Sequence, residues 1–309
     1  MFNFIKLPSI VTFTFLASIS YSAAALNETN SVSKDSDQSI NFVGDNKITE
    51  SELIKLLDAV VPKWTVRILD ARSADNPISK LNFNLVLESF NDEMSNLPPE
   101  EASQAFGKVN AIHLNKKTGK LRYVNRDRRW HFERDNKQKA ISARAASEIV
   151  SKLLTQLKIP YSELNRPIVR SQIAAGAKVG SEQPQDKFEM YQIAYIPRQI
   201  NGLNILQSDI KVAINHQGQV QRASIDWPEF KLDDQIQLID RKSVLQHAVQ
   251  EIMLQNPDSD LIIKSKLAYA KVNDDSFHQP VAVLSVNSLP TPYQLIIKLT
   301  ESTSEYESE

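Results

Sequence analysis

The sequence predicts an α+β fold: tandem repeated units, each with one helix packed on a three- to four-stranded antiparallel sheet. Three observations predict it. First, three amphipathic segments, each opened by a helix-capping residue and followed by a proline, recur at a nearly constant interval. Second, the residues between them alternate apolar and polar with a period of two, in runs that follow one another directly. Third, short glycine turns separate several of these runs, and such turns join antiparallel neighbours, whereas parallel strands need long crossovers. A helix with one apolar stripe, laid across a one-sided sheet, buries both apolar surfaces.

At 309 residues the chain is long enough for two or three ordinary cores. Hydrophobic residues make up 41% and charged ones 24%, which is a globular composition, and the formal net charge is −1. The molecule as a whole is therefore not steered toward nucleic acid or an anionic membrane. Cysteine is absent, which excludes disulfides, thiolate nucleophiles, Cys-ligated metals and an acylated cysteine anchor. Residues 1–25 read as a cleaved Sec signal peptide. Lys6 supplies a short positive start, residues 7–19 are apolar apart from Ser and Thr, and Tyr21-Ser22-Ala23-Ala24-Ala25 offers a small-residue site with cleavage after Ala25. The alternative is a membrane anchor, for which the apolar run is short. No other segment reaches transmembrane length, so the expected location is secreted or periplasmic.

Residues 26–45 are polar and rich in Ser, Asn and Asp, and read as a flexible lead-in. Unit 1 spans 46–140. Thr49-Glu50-Ser51-Glu52 is a capping box, Leu53, Leu56, Leu57, Val60 and Val61 share a helical face, and Pro62 ends the helix. Strands are expected at 64–69, 81–88, 109–115 and 120–125, with a Pro-Pro loop at 91–107 and a turn at Lys117-Thr118-Gly119. Unit 2 spans 141–237. Ser142 caps a helix bearing Ala145, Ala146, Ile149, Val150, Leu153, Leu154 and Leu157, and Pro160 stops it. A strand at 165–174 and a loop at 176–186 lead into a three-strand meander over 191–226. Unit 3, shortened, spans 238–300. Asp240 caps Val244, Leu245, Ala248, Val249, Ile252 and Met253, Pro257 follows, and strands are expected at 261–272, 281–286 and 293–300. The prolines 62, 160 and 257 lie 98 and 97 residues apart, a shared period that favours an internal repeat. The acidic residues 301–309 read as a disordered tail.

The meander is the most explicit stretch. Ile210, Val212 and Ile214 alternate with polar residues, as do Tyr191, Ile193 and Tyr195, while Asn201-Gly202 and Gln217-Gly218 supply the reversals. An extended strand, an Asn-Gly-hydrophobic turn (Asn201-Gly202-Leu203), an alternating strand (208–214) and a Gly-x-Val turn (Gly218-Gln219-Val220) follow in that order. This pattern resembles the fungalysin/thermolysin propeptide (FTP) motif. Residues 238–253, with 266–269 and 280–286, resemble the PepSY-type domain that follows it. The resemblance covers roughly 188–299 and implies a PepSY/cystatin-like fold and a stand-alone propeptide-like module. It further implies a role in inhibiting or helping to fold a secreted or periplasmic peptidase, with a zinc metallopeptidase as the expected protein partner. The chain ends where the family's peptidase domain begins, and no His-Glu-x-x-His occurs. On this reading Tyr191, Tyr195, Asn201, Gly202 and Leu203 are candidate binding residues. Pro197 marks an edge strand open to β-augmentation, or else an ordinary hairpin with a conformational proline.

The search for chemistry gives less. No two of the five histidines lie within five residues of each other, so no helical metal pair exists; no metal and no cofactor is expected. There is neither a Gly-x-Ser-x-Gly elbow nor a Gly-rich phosphate loop, and the chain is read as not an enzyme. An unrecognised hydrolase stays open as an alternative, since triads are assembled by folding. The most unusual composition is the basic stretch 116–139, with Tyr123, Trp130 and Phe132 interleaved. Arg126, Arg128, Arg129 and Trp130 are its candidate binding residues, for an anionic envelope polymer. The alternative is a solvated face with its charge balanced elsewhere. Nucleic acid is not expected as a partner of an exported chain.

Overall fold

The computed structural model describes residues 38–43, 47–69, 81–82, 102–106, 109–176, 186–232, 236–255, 260–272, 277–287 and 292–301. The three capped helices form where their signals place them. Helix α1 (Glu50–Val60) opens on Thr49, whose hydroxyl accepts from the Glu52 amide at 3.3 Å while the Glu52 carboxylate accepts from the Thr49 amide at 2.9 Å. A one-turn helix α2 (Val66–Leu69) follows, and a second one-turn helix, α3 (Phe132–Asp135), comes later. Helix α4 (Ala143–Gln156) is capped by Ser142, which accepts from the Ala145 amide at 3.2 Å. Helix α5 (Arg241–Leu254) is capped by Asp240, which accepts from the Ser243 amide at 3.0 Å.

The strands are β1 (Gln38–Val43), β2 (Ala102–Phe106), β3 (Asn110–Asn115), β4 (Lys120–Asn125), β5 (Ile168–Gly176), β6 (Asp186–Ile200), β7 (Leu203–Ile214), β8 (Val220–Asp226), β9 (Asp260–Ala270), β10 (Gln279–Asn287) and β11 (Tyr293–Lys298). They form one eleven-stranded sheet with two regions. The larger runs β5-β6-β7-β8-β4-β3-β2, and the smaller is β9, β10 and β11 with β1 on the other side of β9. Within each region every ladder is antiparallel. They meet at a short parallel contact, Asn204 with Ala268 and Ile205 with Tyr269. The predicted meander is present as β6, β7 and β8. Its first turn has positive φ at both Asn201 (53°) and Gly202 (76°), the combination that suits the twist of a hairpin.

Among the described residues two large apolar cores result, beside two smaller clusters around Phe230 and around Val283. The first lies between α4 and the larger region, with Ile112, Leu114, Leu121, Tyr123, Val150, Leu153, Ile196, Ile210, Val212 and Ile225 fully or nearly buried. The second gathers α1 (Leu53, Leu57, Val60) and α5 (Val244, Leu245, Ala248, Val249, Ile252) over β9–β11, with Ile40 and Phe42 of β1 at its margin.

This is an α+β architecture with one large sheet and few helices, and it corrects the expectation of tandem helix-on-sheet units. Helix α1 packs in the second core with α5, whereas β3 and β4, which follow it in sequence, join the middle segment through the β4–β8 ladder. The elements of the first expected unit are thus divided between two cores. Periodicity marks which face of an element is apolar, and not which sheet will take it. Three local readings are corrected as well. Residues 66–69 are a helical turn rather than a strand, because the Thr65 carbonyl accepts from both Ile68 and Leu69. The lead-in contains β1, and the 91–107 loop contains β2. The signal segment 1–25, most of the strand expected at 81–88, the loop 177–185 and residues 302–309 lie outside the described residues. No described helix is long and apolar enough to cross a membrane.

Candidate functional site

The side-chain alternation that buries one face of the larger sheet region fixes what the other face carries. With Ile112, Tyr123, Ala223, Val212, Ala194 and Val169 turned toward α4, the neighbouring residues in each strand project away from it. Ladder registers align them in rows across the sheet. His113 stands opposite Arg122, Arg122 opposite Ser224, Ser224 opposite Lys211, and Lys211 opposite Tyr195. The adjacent row is Ala111, Val124, Arg222, Ala213 and Ile193. The three long helices pack elsewhere, in the two cores. Small side chains in these rows leave an open hollow of about 480 Å³, lined by Ala111, His113, Arg122, Val124, Arg222 and Ser224.

The polar positions of the face mix cations with carboxylates, since Asp226 and Asp209 stand two residues from Ser224 and Lys211 in their strands. Arg122 is pinned: its guanidinium makes a forked contact with Asp226 at 3.0 and 2.8 Å and also donates to the Ile225 carbonyl at 3.2 Å. Lys211 donates to Asp209 at 3.1 Å and sits 5.4 Å from the centre of the Tyr195 ring. Arg222 is exposed and makes no ion pair among the described residues. Of the sequence candidates, Tyr195 and, two alternations earlier in β6, Tyr191 belong to this face; the hollow on β3, β4 and β8, with His113 and Arg222, is not among the sequence candidates. The alternation pattern contained that information, but only the ladder registers say which residues share a row.

A second cluster joins two candidates that the sequence kept apart. The Tyr191 hydroxyl accepts from the Trp130 amide at 2.6 Å, 61 residues away. Trp130 and Phe132 pack edge-on at 6.2 Å, and Phe132 meets Phe188 perpendicularly at 5.1 Å. The loop beneath is tied down by Asp135, which is 3% exposed. It accepts from Arg134 at 2.7 and 2.8 Å and from the His131 amide at 2.9 Å. The Arg134 guanidinium and the His131 amide hold the Asp135 carboxyl below its ordinary pKa. Arg128 is half-buried and donates to the Val220 carbonyl at 3.0 Å, so of the three candidate arginines Arg126 and Arg129 are the ones exposed to solvent.

The remaining candidates fall elsewhere. Asn201, Gly202 and Leu203 lie at the far end of β6, roughly 33 Å along the strand from Tyr191 at 3.3 Å per residue. Leu203 packs against two apolar clusters, so it is part of a core margin. Pro197 is not on an edge strand: β6 lies between β5 and β7, and a register shift between Pro197 and Gln199 accommodates the proline. Its carbonyl accepts from the Asn165 amide at 3.0 Å.

The histidines are scattered, and no three His, Asp or Glu side chains among the described residues could hold a metal ion. His247 is exposed on α5, and His216 sits in a turn with Nε2 2.7 Å from the Glu189 carbonyl oxygen. His278 is 2% exposed and stacks on Phe230 at 4.7 Å. Burial, assisted by nearby Lys271, pushes its pKa down from 6.5 to about 4. The folded protein therefore keeps the ring neutral while the unfolded chain takes up a proton near 6.5. Stability is complete above that pH and is lost as pH falls toward 4, by about 3 kcal/mol in total. Urea unfolding across this window should show that slope, and His278→Phe, which keeps the stack, should remove most of it. An unchanged slope in the variant would assign the acid sensitivity to other groups.

No family model matches the chain, and no curated protein matches it in sequence. Among solved structures, the Bacillus megaterium YpeB C-terminal domain is similar at 14% identity and a TM-score of 0.34, over 71% of this chain and 91% of that one. The resemblance of 188–299 to propeptide and PepSY domains therefore rests on the motifs quoted above.

Proposed function

We propose that the chain is an exported, non-catalytic binding protein that acts on a secreted or periplasmic peptidase as a propeptide-like inhibitor or folding helper. The observation that carries this reading is the face of the larger sheet region that no described helix covers, with its hollow between Arg122, Val124 and Arg222. A preformed face of this kind costs little ordering on association. Its mixture of apolar floor and cationic rim suits a protein surface bearing carboxylates. The FTP-like motif supports the choice of a peptidase as that partner, and the motif's own strands, β6 to β8, supply part of the face.

The test uses the chain from residue 26 onward with zinc metallopeptidases secreted by the same organism. The expected result is inhibition of the native peptidase or a higher refolding yield of the denatured one, weakened by added salt and by Arg222→Glu. Arg222 is exposed, so the substitution leaves the core intact. The reading is overturned if activity and refolding yield both stay unchanged. It is equally overturned if Arg222→Glu matches the unsubstituted protein, because the partner would then bind elsewhere.

A further inference from the structure

Residues 126–139, between β4 and α4, line neither the apolar cores nor the hollow of the open sheet face. From the loop's composition and geometry we infer that it is a docking surface for an anionic lipid bilayer. Residues 126–139 hold six cations (Arg126, Arg128, Arg129, Arg134, Lys137, Lys139) against three carboxylates (Asp127, Glu133, Asp135) in a chain whose formal net charge is −1. One of those carboxylates, Asp135, is already consumed inside the loop by Arg134 and the His131 amide. Arg126, Arg129, Lys137 and Lys139 all face solvent.

Among these charges stands an apolar group that the fold does not bury. Phe132 is 53% exposed, yet it cannot fold back, because Trp130 and Phe188 already occupy the space against its ring. The loop is also preformed. Besides Asp135 and the Tyr191 hydroxyl, Arg134 donates to the Arg129 carbonyl at 2.7 Å, and the Gln217 side-chain amide donates to Gln138 at 3.0 Å. A rigid aromatic projection ringed by cations matches the bilayer interface, where rings sit at headgroup depth and Lys and Arg meet lipid phosphates. A soluble polyanion would use the cations and leave Phe132 in water. Phe132 therefore favours the bilayer over the polymer.

The experiment is co-sedimentation of the chain from residue 26 onward with vesicles of pure phosphatidylcholine, with vesicles of equal parts phosphatidylcholine and phosphatidylglycerol, and in parallel binding to dextran sulfate. Binding is expected only to the anionic vesicles. Arg129→Gln with Lys137→Gln should weaken it about twenty-fivefold, at about fivefold per charge. Phe132→Ala should weaken vesicle binding about fivefold and leave dextran sulfate binding unchanged. Brominated lipid should quench Trp fluorescence, and Trp130→Phe should abolish the quenching. Equal binding to neutral vesicles, or vesicle binding indifferent to Phe132→Ala, overturns the inference; the second outcome would leave a polyanion-binding surface only. Failure here does not touch the peptidase reading, which rests on the hollow of the open sheet face and on Arg222.

Discussion

Glu163→Ala is expected to destabilise the protein by about 3–5 kcal/mol, the range for removing one partner of a buried ion pair. Glu163 lies in the 3₁₀ turn Tyr161–Glu163 and its partner Arg198 lies on β6, directly after the Pro197 irregularity. The Arg198 side chain is fully buried, with Nε and Nη2 2.8 and 2.7 Å from the Glu163 carboxylate. Its Nη1 donates to the Pro228 carbonyl at 2.7 Å, and its guanidinium lies 4.4 Å from the centre of the Trp227 ring. Burial pulls the arginine pKa down, and the carboxylate opposes that shift. With Glu163 removed, a desolvated cation stays in the protein without its carboxylate. The double variant Glu163→Leu with Arg198→Met should recover much of the loss, because it removes both charges and keeps apolar volume. Denaturant unfolding of the single and double variants decides the matter. A single variant costing under about 1 kcal/mol would mean the pair is exposed in solution and behaves like a surface bridge.

That pair also shows where sequence reasoning stops. A lone arginine after a proline in an alternating strand reads as a solvent-facing residue, since cations are rarely buried without a partner and the partner is 35 residues away. The Trp130–Tyr191 hydrogen bond is hidden for the same reason. What was legible is local. Thr49, Ser142 and Asp240 cap helices because each cap is settled within three residues, and Asn201-Gly202 turns because both residues tolerate positive φ. The misreadings have local causes too. Thr65, Val66 and Ile68 favour a strand by propensity, but tertiary placement of the fully buried Leu69 overrides it. In β1 the alternation is carried by Ile40 and Phe42 alone, too short a signal against the polar residues before it.

The pairing of β4 with β8 was not legible, and it is what builds the open face. His113, Arg122 and Val124 become neighbours of Ser224 and Arg222 only through that ladder. Its register begins where Lys120 meets Asp226, and one residue earlier Gly119 meets Trp227. Control of that crossing is therefore control of the candidate site.

Gly119→Ala should consequently damage both stability and the face, at a cost of about 3 kcal/mol or more. Gly119 has φ +67°, and a Cβ there would lie 2.2 Å from the Trp227 carbonyl oxygen and 2.7 Å from the Pro228 nitrogen. Those are backbone atoms, held in place because the Trp227 amide donates to the Gly119 carbonyl at 2.7 Å and the Trp227 ring, 2% exposed, packs on Arg198. Neither side can yield without breaking the first rung of the ladder. Gly202 is the internal control: its φ of +76° imposes a similar backbone penalty, but nothing lies within 4 Å of its Cβ position. Gly202→Ala should thus cost only about 1 kcal/mol, the conformational share alone. Hydrogen exchange should then quicken in β3 and β4 of the Gly119 variant and stay unchanged there in the Gly202 variant. Equal costs for the two substitutions would show that the turn can relax away from Trp227. The β4–β8 junction would then be too loose to hold the hollow in one shape.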